Sequence, residues 1–425
     1  MTFRRCLTRL WLILLVALLL RIGYAVDYQH GKPEQALGAI SFLYEPGNIA
    51  YSLATHHGFA SPFRSDTGPT AWMTPVYPLV LAAIFRLFGL YTYHAFLVAI
   101  AFNILCSALT CIPIYKIGRE VESDALGALA AWFWAIFPNA IIIPTRDLWD
   151  ASIAALLSAV ILWATITTSR SRRWNAWIAY GCLWGLALMT TPTLGSFLPF
   201  LLIWMTLRAY RPAREGVCKA GIILAIAILI CVPWTVRNYR AFRAFVPLRS
   251  VMGLQLWMGN NETSGRQWPG LLHPIANSTE RRHYVEVGEM RYMAEKRAEG
   301  LAFIVNHPRE ELSLTARRFV ATWSGGDETP IRNFFRNHSF YFRSILLANI
   351  AAALGCLIGA ILLIVRRHPL AFPIVVIPAV FPLISYITLA SPRYRHPIDP
   401  IILLLCAVSV YACYKRGRST VFPSV

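Results

Sequence analysis

The sequence predicts an all-α polytopic membrane protein of about ten transmembrane helices, with extracytoplasmic loops and a small external cap. Three observations carry that expectation. Of the 425 residues, 56% are hydrophobic and only 14% charged, a composition foreign to soluble domains. Apolar windows of spanning length recur along the chain. The basic groups between them fall in every second connection. In a soluble chain the surplus of 40 Lys+Arg over 21 Asp+Glu would suggest nucleic acid. Here it reads as charge at the cytoplasmic membrane face, and no nucleic-acid partner is expected.

The N-terminus, MTFRRCLTRLWLILLVALLLRIGYAV, has the basic start and apolar run of a signal peptide but no small-residue cleavage site. It is read as an uncleaved first span over residues 10–26. Residues 27–92 follow as a first external loop. Within it Tyr44, Ile49, Ala50 and Leu53 recur at helical spacing around Glu45 and predict a short amphipathic helix on the membrane surface. Residues 75–89, apolar but short and carrying Arg86, predict a second interfacial helix. Further spans are expected at 93–115, 124–143, 148–167, 174–189, 194–207, 220–234, 345–365, 370–389 and 398–414. Between the seventh and eighth, residues 235–343 mix turn signals (MGNNETSG, SGGDETP) with a helical pattern over 279–322, and read as a soluble cap. The chain thus divides into an N-terminal transmembrane bundle (1–234), a cap segment (235–343) and C-terminal transmembrane helices (344–425).

The basic groups are Arg4, Arg5 and Arg9; Lys116 and Arg119; Arg170, Arg172 and Arg173; Arg208, Arg211, Arg214 and Lys219; Arg366 and Arg367; and Lys415, Arg416 and Arg418. Their alternation places both termini in the cytoplasm, in a plasma or inner membrane, and both long segments outside. The stretch PTRDLWDAS (144–152), the first loop, the cap and SPRYRHPIDP (391–400) then share the outer side. Polar clusters far apart in sequence converge as an external active site would.

Asp147 and Asp150 sit about one turn apart if a helix starts near Leu148. Asp147 fits an ordinary N-cap and Asp150 a first-turn acid. Yet a carboxylate a turn deep among apolar residues is costly, and such groups are functional by default. Glu45 by itself reads as a solvated first-turn acid before Pro46. His56 and His57 are adjacent and point apart on a helix, so no zinc site is expected there. Arg393, Arg395 and His396 stand at the outer mouth of the last span, between prolines that stiffen the turn, and Arg237 ends the seventh. Each suits either phosphate recognition or headgroup anchoring. The nine cysteines show no metal-ligand spacing and read as packing residues. The sequons at Asn261, Asn277 and Asn337 say nothing about function.

Taken in order, YEPGNIAYSLATHHGFASPF, GPTAWMTPVYPLVLAAIFRLFG, LWDASIAALL, GLALMTTPTLGSFLPF, PWTVRNYRAFRAFVPLRS, LWMGNN and RYRHPIDPIILLL resemble the multispanning glycosyltransferases of the GT-C class. The branch it is similar to includes the dolichyl-phosphate-mannose protein mannosyltransferases and the bacterial lipid A aminoarabinose transferases. The resemblance implies transfer of a sugar from a polyprenyl-phosphate donor to a lipid, glycan or protein acceptor on the extracytoplasmic face, with inversion, among membrane lipids. It implies one carboxylate on the first external loop, matched by Glu45 as the base, and one at the outer start of a later span, matched by Asp150 with Asp147 as rival. Arg237, Arg393 and Arg395 are the implied partners of the departing phosphate, with His396 and Tyr77 as weaker contacts. No cofactor is implied with certainty; a divalent cation between the acids stays open, since some members of the class use one and others do not. Two departures stand out: relatives often carry an Asp or an Asp-Glu pair in the first loop, and the segment TTPT lacks their basic residue. The rival reading is a transporter of a lipid-linked or anionic substrate, against which the nearly charge-free midspan regions argue. A non-catalytic membrane scaffold is the third.

Overall fold

The computed structural model describes residues 9–63, 65–209, 213–265, 269–326 and 340–421. Arg4, Arg5, Cys6, Arg211 and Asn337, named above, lie outside them. Among the described residues the regular structure is helical apart from one antiparallel bridge between Ala60 and Pro69.

Among the described residues six helices are long and apolar enough to cross a membrane: Leu10–Gln29, Tyr93–Val121, Ala151–Ser169, Arg214–Phe242, Phe342–Val365 and Pro392–Arg416. The pair Asp124–Ile136 and Pro138–Arg146, bent by 47°, adds a seventh if it forms one broken span. The expected count of about ten is not confirmed, because three expected spans are shorter or interrupted helices. Helix Trp174–Thr190 has 17 residues. The next apolar stretch spends Pro192–Phe197 on a 3₁₀ turn before its helix begins at Leu198. The one after the cap divides into Ala371–Val380 and Leu383–Ile387, with Pro378 and Pro382 at the break. A hydropathy window registers none of these interruptions, since proline is apolar but cannot donate to the helix.

The helices used below are α1 (Leu10–Gln29), α2 (Glu45–Ala54), α3 (Val76–Phe88), α4 (Tyr93–Leu109), α5 (Asp124–Ile136), α6 (Pro138–Arg146), α7 (Ala151–Ser169), α8 (Trp174–Thr190), α9 (Ala213–Phe242), α10 (Met252–Gly259), α11 (Ser278–Val287), α12 (Glu289–Asn306), α13 (Pro308–Ser324), α14 (Phe340–Val365) and α15 (Asp399–Val421). α9 runs past Trp234, the expected end of its span, to Phe242. α14 and α15 pack closely enough that a Cβ added at Gly359 would lie 2.0 Å from the carbonyl oxygen of Leu405. Such contact between small residues drives association where lipid supplies no hydrophobic force.

The bend between α5 and α6 explains an unexpected buried cation. Pro138 has no N–H to give Trp134, so the helical ladder breaks there. Arg21 of α1, fully buried, reaches across the gap. Its Nη1 donates to Ala135 O at 3.1 Å and Ala17 O at 2.9 Å, its Nη2 to Trp134 O at 3.3 Å and its Nε to Ser107 Oγ at 2.9 Å. Arg21→Ala should therefore lower thermal stability in detergent by the equivalent of about 2–4 kcal/mol, from an unpaired carbonyl and a new cavity. An unchanged melting temperature would show that the break is self-sufficient.

α2 departs from the surface helix expected of it. Glu45, Pro46, Gly47, Asn48, Ile49, Ala50 and Ser52 are all buried, because α2 packs on α3. Gly47 makes the tight entry feasible: a Cβ there would stand 2.1 Å from Phe42 O. His56 and His57 fall beyond its C-terminus.

The cap segment is fastened by one carboxylate. Glu289, at the start of α12, is buried and accepts from Thr70 Oγ1 (2.5 Å), Ala71 N (2.7 Å), Ser250 Oγ (2.7 Å) and Tyr284 OH (2.6 Å). The first loop, the loop after α9 and α11 thus meet at one side chain. Glu289→Ala orphans four donors, so a loss of about 3 kcal/mol or more is expected, read as a lower unfolding midpoint. Retained stability would mean that water replaces the carboxylate.

Candidate active site

A cavity of about 1090 Å³ opens where the first loop, the α6–α7 junction, the loop after α9, the cap and the start of the last span meet. Glu45 stands at its wall, 2% exposed, on the first turn of α2. The amide dipoles of that turn favour a negative charge. His273 Nε2 lies 2.8 Å from Glu45 Oε1. Burial pushes the Glu45 carboxyl up, but His273 and, more weakly, Arg393 pull harder, so it is held below the usual carboxylate range.

Asp147 and Asp150 flank the short connection between α6 and α7, and both line the cavity. The helix begins at Ala151 rather than near Leu148, which changes both assignments. Asp147 is the C-cap of α6, not an N-cap. Asp150 is the N-cap of α7, not a residue one turn inside it. Its side chain caps nothing; its Oδ2 instead accepts a hydrogen bond from Thr191 Oγ1, at the end of α8. An N-cap carboxylate not bonded to its own helix is available for other work. Burial raises the pKa of Asp147, against the pull of Arg393, Arg146 and His396.

Of the expected basic residues, only Arg393 lines the cavity. Its guanidinium lies 3.8 Å from the centre of the Trp149 ring, within cation–π distance. Arg249, which sequence reasoning left without a role, stands in the loop after α9 and lines the same cavity. Burial lowers its pKa, partly countered by Asp150 and Tyr394. Arg249 lies inside the quoted stretch PWTVRNYRAFRAFVPLRS, so the signal was present. The residue that pointed nowhere was His273, in a loop without periodicity.

The other expected contacts are placed elsewhere. Arg237 donates to Thr70 O at 2.6 Å and to Phe59 O, and so straps the first loop to α9. Arg395, 2% exposed, pairs with Asp399 at 2.7 Å and donates to the carbonyls of Thr322 and Trp323, tying α13 to the start of α15. His396, fully buried, stacks on Trp134 with ring centres 5.3 Å apart and lies 3.3 Å from Asp399. Tyr77 exchanges hydrogen bonds with Asn103 below the site, and Asn103 donates to Asp147 O at 3.0 Å. These four act behind the cavity wall. The guanidiniums of Arg237 and Arg395 and the phenol of Tyr77 bond to backbone and side-chain partners, because a buried guanidinium or phenol without partners is too costly to keep.

Residues 72–236 match the family model described as dolichyl-phosphate-mannose-protein mannosyltransferase. That stretch contains both cavity aspartates and ends at the residue before Arg237. No curated protein matches the chain significantly. Among solved structures, the archaeal oligosaccharyltransferase AglB from Archaeoglobus fulgidus, in complex with an inhibitory peptide and a dolichol-phosphate, aligns over 98% of this chain and 52% of its own, at TM-score 0.55 and 14% identity. The same organism's oligosaccharyltransferase in complex with Zn and sulfate aligns over 95% and 49%, at TM-score 0.53 and 15% identity. The chain shares its fold with these oligosaccharyltransferases. It spans about half the length of those archaeal GT-C structures. ArnT from Cupriavidus metallidurans bound to undecaprenyl phosphate aligns over 96% and 79%, at 14% identity but TM-score 0.40, and adds no weight.

One of these oligosaccharyltransferase structures is complexed with Zn. Among the described residues no three His, Cys, Asp or Glu side chains converge as ligands. Glu45 is engaged by His273 and Asp150 by Thr191. The donor set does not fit a divalent cation, and the chemistry below passes through none.

Proposed function

We propose that this chain is a membrane glycosyltransferase that moves a sugar from a polyprenyl-phosphate donor to a hydroxyl or amine acceptor at the extracytoplasmic rim, with inversion at the anomeric carbon. One observation carries the reading: Glu45, Asp150, Arg249 and Arg393, from four distant parts of the sequence, line one cavity. Glu45, held ionised by His273, takes the proton of the acceptor as its oxygen or nitrogen attacks. Asp150 orients the sugar or acceptor, with Asp147 beside it in the same cavity as its rival. Arg249 and Arg393 receive the charge that gathers on the lipid phosphate as it departs. Ile142, Phe342, Ile345, Leu346, Phe381 and Ile384 form an apolar flank of the same cavity, suited to the first isoprene units.

The fold of the relatives and the mannosyltransferase family match support this reading. The positive-inside pattern supports cytoplasmic termini and an external site, and the division into bundle, cap and C-terminal helices follows from it. The transporter alternative gains nothing: Arg21, buried within a span, is bonded to helix carbonyls rather than open to a pathway. The test is release of labelled sugar from a polyprenyl-phosphate donor by purified protein. Equal turnover by wild type and an E45Q/D150N double variant would overturn the site.

A further inference from the structure

His273 is in contact with the proposed base, yet the transfer chemistry as written gives it no task. Its ring has a defined environment. Trp72 and Phe63 pack against it edge-on, with ring centres at 5.3 and 6.1 Å. The backbone N–H of Ile275 donates to His273 Nδ1 at 3.2 Å. A ring nitrogen that accepts a hydrogen bond carries no proton, so the proton of the neutral imidazole sits on Nε2. That nitrogen faces Glu45 Oε1 at 2.8 Å. A neutral ring therefore suffices to make the bond, and protonation of Nδ1 would break the Ile275 contact.

We propose that His273 is a positioning residue and that the base is a Glu45–His273 dyad: the neutral imidazole pins one carboxylate oxygen and leaves the other free to receive the acceptor's proton. This rests on the reading of Glu45 as the base. In the transfer step the acceptor's O–H or N–H bond breaks and its proton goes to the free oxygen of Glu45. The acceptor's electron pair forms the bond to the anomeric carbon. The carbon–oxygen bond to phosphate breaks, and its pair leaves on the lipid phosphate. His273 keeps its proton throughout and carries no charge in the cycle.

The charged groups around Glu45 are few. His273 faces it from the loop before α11, and Arg393 acts on it from the start of the last span. Asp147 and Asp150 line the same cavity from the α6–α7 junction, and Arg249 from the loop after α9. The Nε2–H of the neutral ring stabilises the ionised carboxyl through its hydrogen bond, so removing His273 raises the pKa of Glu45. The acid limb of the kcat/KM profile should then move to higher pH, a displacement that loss of packing alone does not produce.

The experiment uses the full chain in nanodiscs, with radiolabelled polyprenyl-phosphate mannose as the probe donor and sugar release as the readout. H273A should lower kcat about 10–100-fold with donor KM within about twofold, the scale of losing a group that orients a catalytic ligand. Its acid limb should shift upward. H273Q, which keeps an N–H donor, should recover part of both. A fall in kcat and KM together with an unmoved acid limb, or no recovery in H273Q, would overturn the dyad. ¹⁵N-histidine NMR of the wild type, assigned by the signal missing in H273Q, should show the Nε2–H tautomer at neutral pH; the other tautomer or an imidazolium would also overturn it. If E45Q releases sugar at the wild-type rate, the assignment of Glu45 as the base fails instead, and the two failures are told apart.

Discussion

Glu45→Gln is expected to reduce sugar transfer by about 10²–10⁴-fold, the range of a lost general base, while donor binding persists. The amide has nearly the shape of the carboxylate, so packing beneath the cap survives and the change isolates chemistry from structure. The carboxyl it replaces is held below the ordinary range by His273 and Arg393 against its own burial. In the wild type the acid limb of the rate profile should accordingly lie below that of a free glutamate. For stability the sign is the same: a depressed carboxyl stabilises the fold above its unfolded pKa, and that contribution is lost as pH falls through the lower folded value. Single-turnover release of labelled sugar measures the chemical step directly. A wild-type rate in E45Q would remove Glu45 from the reaction and return the α6–α7 junction as the place to look.

The paired variant R249A/R393A should weaken binding of undecaprenyl phosphate by about 10²-fold or more. A hydrogen bond to a charged group contributes about 1.5–3 kcal/mol, and two are removed. Both guanidiniums line the cavity, from segments far apart in sequence. Arg393 alone should account for an intermediate loss, larger for the donor than for any acceptor. Tryptophan fluorescence reports the titration, because Arg393 lies against Trp149. Unchanged affinity would make these arginines headgroup anchors rather than phosphate ligands.

Much of the fold was legible because hydropathy survives translation into three dimensions: 93–115, 148–167 and 345–365 each correspond to a spanning helix. What hydropathy could not convey was continuity. The prolines at 138, 192, 378 and 382 barely lower the mean hydropathy of an apolar window yet begin, end or interrupt helices. In the site, Glu45, Asp150 and Arg393 were legible as charges where charges are costly. Arg237, Arg395 and His396 looked the same in sequence, since a phosphate ligand and a strut that satisfies stray carbonyls are both buried cations near a membrane rim. Only distances separate them. Arg249 was legible in a quoted motif but not singled out. His273 carries no local pattern at all, because its partner is over two hundred positions away.

The knot at Glu289 bears on how substrates come and go. Four donors from three segments converge on that carboxylate, and Ser250 among them is the immediate neighbour of Arg249. Lifting the roof would sever all four contacts and drag a phosphate-facing arginine away from its post. Traffic by a sideways route, past Phe342 and Phe381 on the apolar flank of the cavity, disturbs neither. A rigid ceiling with an open flank favours a chamber entered like a stall rather than a box with a lid.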